Sequence, residues 1–134
     1  MSKRIYVDTN VWIDFFLNRN DSLRPLGEFA FELFYKTLGC SFTIVVSDWL
    51  LTELKNTGHY KSYENLQGEL KKKDKIIFIE TTRADIDEAK TKSQHFEDAL
   101  HEVLALRGGA VFLVTRNVRD FDGSQIPICL PEWL

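Results

Sequence analysis

Short apolar runs alternate with longer amphipathic stretches along the whole chain. Ile5-Tyr6-Val7 is rich in β-branched and aromatic residues and predicts a buried strand. Asp8-Thr9-Asn10 breaks it with residues that favour caps and turns, and Val11 to Leu17 resumes at helical spacing through Ile13, Phe16 and Leu17. Asn18 to Ser22 reads as a polar loop. Leu26, Phe29, Ala30, Leu33, Phe34 and Leu38 then mark an amphipathic helix closed by Gly39. Phe31 and Tyr35 fall off that stripe. They are either partly buried or an exposed aromatic face for a partner or a second subunit.

Phe42 to Val46 predicts the second strand, with Ser47 as N-cap of a helix over Asp48 to Lys55. Glu53 lies three residues past Leu50 and four past Trp49, so it leans toward the apolar side and needs a cation or donor there. Gly58 to Lys75 is polar and reads as a loop and an exposed helix. Its terminal Lys71-Lys72-Lys73-Asp74-Lys75 is either a solvated face or a phosphate contact. Ile76 to Ile79 predicts the third strand, and Thr82 with Asp85 resembles a capping box opening a helix to about Lys92. From His95 to Leu106 the pattern is helical, with Phe96, Leu100, Val103 and Leu104 buried and Gly108-Gly109 as the stop. Ala110 to Val114, fully apolar, predicts a central strand. Thr115 to Phe121 puts polar groups at its carboxyl end, and Ile126 to Leu130 reads as a short edge strand that tolerates Pro127.

Strands alternating with helices predict an α/β fold, a three-layer α/β/α domain with a mostly parallel central sheet. In such a sheet the carboxyl ends of all strands share one edge, where ligands bind. Asp8 and the segment Thr115 to Asp120 lie on that edge, and the helix starts bearing Asp98 and Glu53 can reach it.

Composition changes this picture little. At 134 residues, 44% hydrophobic and 28% charged, the chain reads as one globular domain able to bury a core. A formal net charge of −3 gives no global footprint for nucleic acid, so such binding requires a local basic patch. Cys40 and Cys129 lie far apart without metal-ligand spacing and read as buried free thiols. No signal peptide and no membrane-length apolar run is legible, which points to the cytoplasm.

The chemistry lies in Asp8, Glu53, Asp98 and Asp120. Carboxylates brought together raise one another's pKa unless a cation intervenes. Mg²⁺ or Mn²⁺ suits them, taking oxygen ligands and keeping waters for phosphodiester chemistry. Arg116 and Arg119, with Lys3 and Arg4, are candidate phosphate contacts. An aspartyl phosphatase needs a second acid where this chain has Asn10, and a receiver domain needs a lysine where Thr115-Arg116-Asn117 stands.

Asp8-Thr9-Asn10, the helix-borne Glu53, Glu97-Asp98-Ala99-Leu100 and Leu113 to Phe121 together resemble the PIN domain. They resemble in particular its VapC-type toxin ribonucleases, over essentially the full length. The resemblance implies a single PIN domain across residues 1–134 and a Mg²⁺- or Mn²⁺-dependent endoribonuclease acting on RNA. It implies restraint by a cognate antitoxin, and a homodimer. Asp8 and Asp98 match the central metal ligands, Glu53 the helix-borne acid, and Thr115 the hydroxyl that orients a ligand or water. Many members carry an acid where this chain has Asn117, while others carry Asn and rely on the Asp three residues later, so the resemblance gives Asp120 a place in the metal site, through water or behind the direct ligands. Asn10 positions Asp8 or a metal-bound water, and Asn117 keeps a polar contact. His95 and His101 read as surface residues, with a proton-transfer role near Asp98 as the alternative. An RNA-processing PIN nuclease without antitoxin, and a PIN-fold binding module that has lost turnover, are the alternatives.

Overall fold

Period-two alternation in the strands decides the architecture. The computed structural model describes residues 3–20, 24–39, 41–92 and 95–134. Its elements run β1 (Lys3–Val7), α1 (Thr9–Leu17), α2 (Leu26–Leu38), β2 (Phe42–Ser47), α3 (Asp48–Asn56), α4 (Tyr60–Lys72) and β3 (Ile76–Ile79). They continue through α5 (Arg83–Lys90), α6 (Phe96–Arg107), β4 (Phe112–Val114) and β5 (Ile128–Cys129), with 3₁₀ turns at Val118–Phe121 and Pro131–Trp133. The sheet order is β3-β2-β1-β4-β5 and every described pairing is parallel.

Residues of alternate parity feed two cores. Ile5, Val7, Ile44, Val46 and Val114 point to one face, where Trp12, Leu33, Phe34, Leu50, Leu54 and Tyr63 of α1 to α4 cover them. Tyr6, Val45 and Leu113 point to the other, against Ala89 of α5 and Leu100, Val103 and Leu104 of α6. The result is the expected three-layer domain.

Several expectations shift. The middle strand is β1; β4 is interior but lies between β1 and the edge strand β5. A whole apolar run signals burial on both faces, which both positions provide. Helix α4 is not simply exposed, because Tyr63 and Leu70 bury one side of it in the core. Phe31 and Tyr35 are 53% and 69% exposed and stack in a ladder with Phe15. Cys129 is a buried free thiol pushed up to about 11 by burial, while Cys40 and part of the loop after Asn18 lie outside the described residues. Among the described residues no helix is long and apolar enough to cross a membrane.

Strands β2 and β3 extend from β1 to one side and β4 and β5 to the other. The carboxyl ends of β1 and β4 therefore flank the point where strand order reverses, which opens a crevice there. Lys3 and Arg4 begin β1 and sit at the opposite edge, where the Arg4 guanidinium donates to the Gly108 carbonyl at 3.1 Å. They cannot serve the acids as phosphate contacts. The run Lys71 to Lys75 precedes β3 and lies on that far edge too.

Candidate active site

Asp8 follows β1 directly, and its backbone N–H donates to the Val114 carbonyl at 2.8 Å, carrying the β1/β4 pairing one step further. Its backbone is extended and its carboxylate caps α1, accepting from Thr9 N–H at 2.8 Å. The other carboxylate oxygen accepts from the Thr115 hydroxyl at 2.9 Å and the Asn10 amide at 3.3 Å. Thr115 is fully buried. Asn10 also reaches the Thr115 hydroxyl at 3.3 Å and accepts from Arg116 N–H at 3.3 Å. The structural and functional readings of Asp8 thus coexist: one oxygen caps, and the other is held for the crevice.

Glu53, on α3, finds the donors its half-apolar position demanded. One oxygen accepts from the Thr9 hydroxyl at 2.6 Å and from His101 Nε2 at 2.5 Å. His101 is buried; its Nδ1 meets the Tyr6 hydroxyl at 2.7 Å, and that hydroxyl meets Ser47 Oγ at 2.8 Å. The imidazole also lies 3.8 Å from Asp8. The expectation of a surface histidine does not hold for His101, although it does for His95. One signal was present: His101 stands three residues after Asp98 on the same helix, one turn along the same face.

Asp98, in the first turn of α6, and Asp120, in the 3₁₀ turn after β4, complete the group. Neither carboxylate makes a hydrogen bond or ion pair with a described residue. Asp98 is pushed up to about 6, first by burial and then by the charges of Asp8 and Asp120. Burial also raises Asp8, against the pull of His101 and the Thr115 hydroxyl. Burial works the same way on Glu53, but the bond and charge of His101 and the Thr9 hydroxyl outweigh it and hold Glu53 below its ordinary value. For His101, burial favours the neutral ring; the Glu53 bond and the charges of Asp8, Glu53 and Asp98 prevail and raise it.

The arginines divide. Arg116 is turned to the buried Asp14, with Nε 3.0 Å from its carboxylate, so it pins the loop to α1. Arg119 is exposed and makes no hydrogen bond or ion pair with a described residue. Asn117 is exposed, its N–H donating to Thr115 Oγ at 3.1 Å. Among the described residues no three His, Cys, Asp or Glu side chains close into a ready-made metal cage.

The comparisons with known proteins agree with this fold. The family model of the PIN domain matches residues 4–119. A crystal structure of VapBC2 from Rickettsia felis, bound to a DNA fragment from its promoter, superposes with a TM-score of 0.59 at 19% identity. It covers 94% of this chain and 96% of that one. A toxin–antitoxin complex from Klebsiella pneumoniae gives 0.56 at 20% identity, over 95% and 97% of the two chains. No curated protein matches the sequence.

Proposed function

The chain belongs to the PIN-domain family, and on that premise we propose that it is a metal-dependent endoribonuclease, the toxin of a type II toxin–antitoxin pair. The observation that carries this reading is the raised Asp98. Burial, and then the charges of Asp8 and Asp120, hold Asp98 near 6 even though His101 and His95 pull the other way. A hard divalent cation would relieve that repulsion. The donors are carboxylate and hydroxyl oxygens with no thiolate, which fits Mg²⁺ or Mn²⁺.

Asp8 and Asp98 would hold the ion directly and Asp120 through water, since Mg²⁺ retains several waters. A bound ion supplies an activated water and stabilises the leaving oxygen of a phosphodiester. The chain's own residues do the positioning. Thr115 and Asn10 fix one oxygen of Asp8, Thr9 fixes the other, and His101 holds Glu53 ionised beside them.

One of the two similar structures is a toxin–antitoxin complex and the other is VapBC2 on promoter DNA, which supports a cognate antitoxin for this chain. The Phe15–Phe31–Tyr35 ladder offers an uncovered apolar face to a protein partner, whether antitoxin or a second copy in a homodimer. The test is cleavage of a mixed-sequence single-stranded RNA with Mg²⁺ or Mn²⁺ against EDTA, with an Asp8→Asn/Asp98→Asn control. Cleavage requiring both metal and aspartates supports the nuclease. Folded protein that binds metal neither by calorimetry nor in turnover points to the binding module. Growth arrest on expression, relieved by a neighbouring antitoxin gene, separates a toxin from an RNA-processing enzyme.

A further inference from the structure

Beside the acid centre opens a groove of about 620 Å³, lined by Asn117, Arg119 and Asp120 together with Arg24, Leu130 and Trp133. It exceeds the clefts of about 250 and 350 Å³ elsewhere on the molecule. Its lining carries a feature the acid chemistry does not use. Trp133 is 63% exposed, yet its backbone is well anchored. The 3₁₀ turn that bears it is held by the buried Pro131 and by Glu132, which pairs with Arg24 at 2.7 Å. A large ring displayed on a fixed platform is a binding surface in waiting.

Charge narrows the choice of ligand. The two other guanidiniums lining the groove are already paired, Arg24 with Glu132 and Arg116 with Asp14. Arg119 alone among them presents an unopposed cation. One free positive charge and one flat aromatic face, in a groove that also holds Asp120 of the acid centre, match a single nucleotide: phosphate on the guanidinium, base on the indole. A lysine- or arginine-bearing peptide would meet Arg119 with like charge.

We propose that this groove is a subsite for an unpaired nucleobase of single-stranded RNA, stacked on Trp133 with a flanking phosphate on Arg119, leading the strand past Asp120 to the acids. The proposal rests on the nuclease reading. Duplex RNA is excluded because its bases are already stacked and its edges are turned inward.

The experiment is anisotropy of a short labelled single-stranded RNA in EDTA, where binding is read without turnover. Trp133→Ala weakens binding about tenfold, and Trp133→Phe stays within about twofold of wild type. Arg119→Gln lowers the slope of log affinity against log salt by about one. Placing one abasic nucleotide in the RNA at the subsite removes the Trp133 dependence. Trp133→Ala that binds as tightly as wild type overturns the proposal, as does a duplex bound with the same Trp133 dependence. Unchanged RNA binding with lost antitoxin binding overturns it in favour of a protein contact. The two readings fail separately. Trp133-dependent binding by a protein that never cleaves leaves the subsite standing without the nuclease. Metal-dependent cleavage indifferent to Trp133 and Arg119 leaves the nuclease without the subsite.

Discussion

His101 Nε2 donates to Glu53 Oε1 at 2.5 Å, so a buried imidazole on one side of the sheet secures an acid carried by a helix on the other. The pair is the centre's internal support. His101→Ala takes one of two partners from the Glu53 carboxylate and from the Tyr6 hydroxyl, leaving Thr9 and Ser47, and costs about 2 kcal/mol of stability. It also lowers RNA cleavage at saturating metal by at least about tenfold. His101→Gln, which keeps a donor, recovers part of both. Urea denaturation beside cleavage rates checks this; an alanine variant as stable and active as wild type would overturn it.

Asp98 makes the metal-free protein sensitive to pH. Its folded value of about 6 lies above the ordinary 3.8. The stability this confers is present below about pH 4 and is lost as pH rises through 6. At pH 7.5 in EDTA, Asp98→Asn should therefore exceed wild type in stability by about 1 kcal/mol after solvent screening. Thermal melts across pH 4 to 8 read it, and millimolar Mg²⁺ should restore only the wild type. A variant melting below wild type at pH 7.5 without metal contradicts the reading.

Thr115 tests orientation apart from charge. Thr115→Val keeps the shape but removes the hydroxyl that donates to Asp8, within a fully buried site. The expected outcome is about a tenfold loss of kcat and about 1 kcal/mol of stability, both largely recovered by Thr115→Ser. Equal loss in the serine variant would show that the methyl group, not the hydroxyl, matters.

Away from the centre, Asp85 links the two helices on the α5–α6 face. It completes the capping box of α5 with Thr82 and meets the Arg107 guanidinium of α6 at 2.9 Å. Burial would raise it, but the Thr82 N–H and Arg107 hold it below its ordinary value. Its contribution is thus full at neutral pH and lost as pH falls below about 4. Asp85→Asn should cost about 1 kcal/mol at pH 7 and approach wild type at pH 3. A difference that persists unchanged to pH 3 would assign the loss to packing.

Much of this was written in local pattern. Ile5 to Val7 and Phe42 to Val46 announce strands because every residue there but Thr43 is buried between two helical layers. Asp8 and Thr115 were legible for the same reason: a polar residue ending an apolar strand has few other places to be. His101 was not, because α6 is buried almost all round, and a stripe drawn through Phe96, Leu100 and Leu104 leaves the opposite face looking free. The stripe of α4 was available in Tyr63, Leu66 and Leu70 but was masked by the charges around it. Arg116 turning to Asp14 depends on how the loop after β4 crosses α1, and no spacing along the chain reports such a crossing. Lys3 and Arg4 mislead by proximity in sequence, since one strand's length puts them on the wrong edge.

The placing of β1 between β2 and β4 has a consequence for when the protein acquires its chemistry. The first strand to be synthesised must wait for nearly the last before its second edge is satisfied, an arrangement of high contact order that slows folding. A chain interrupted before Phe112 already contains Asp8, Glu53 and Asp98, but has neither Thr115 to aim Asp8 nor Asp120 to face Asp98. Partial products of translation or proteolysis therefore carry three of the acids without the contacts that orient them, and the group is completed only when the sheet closes.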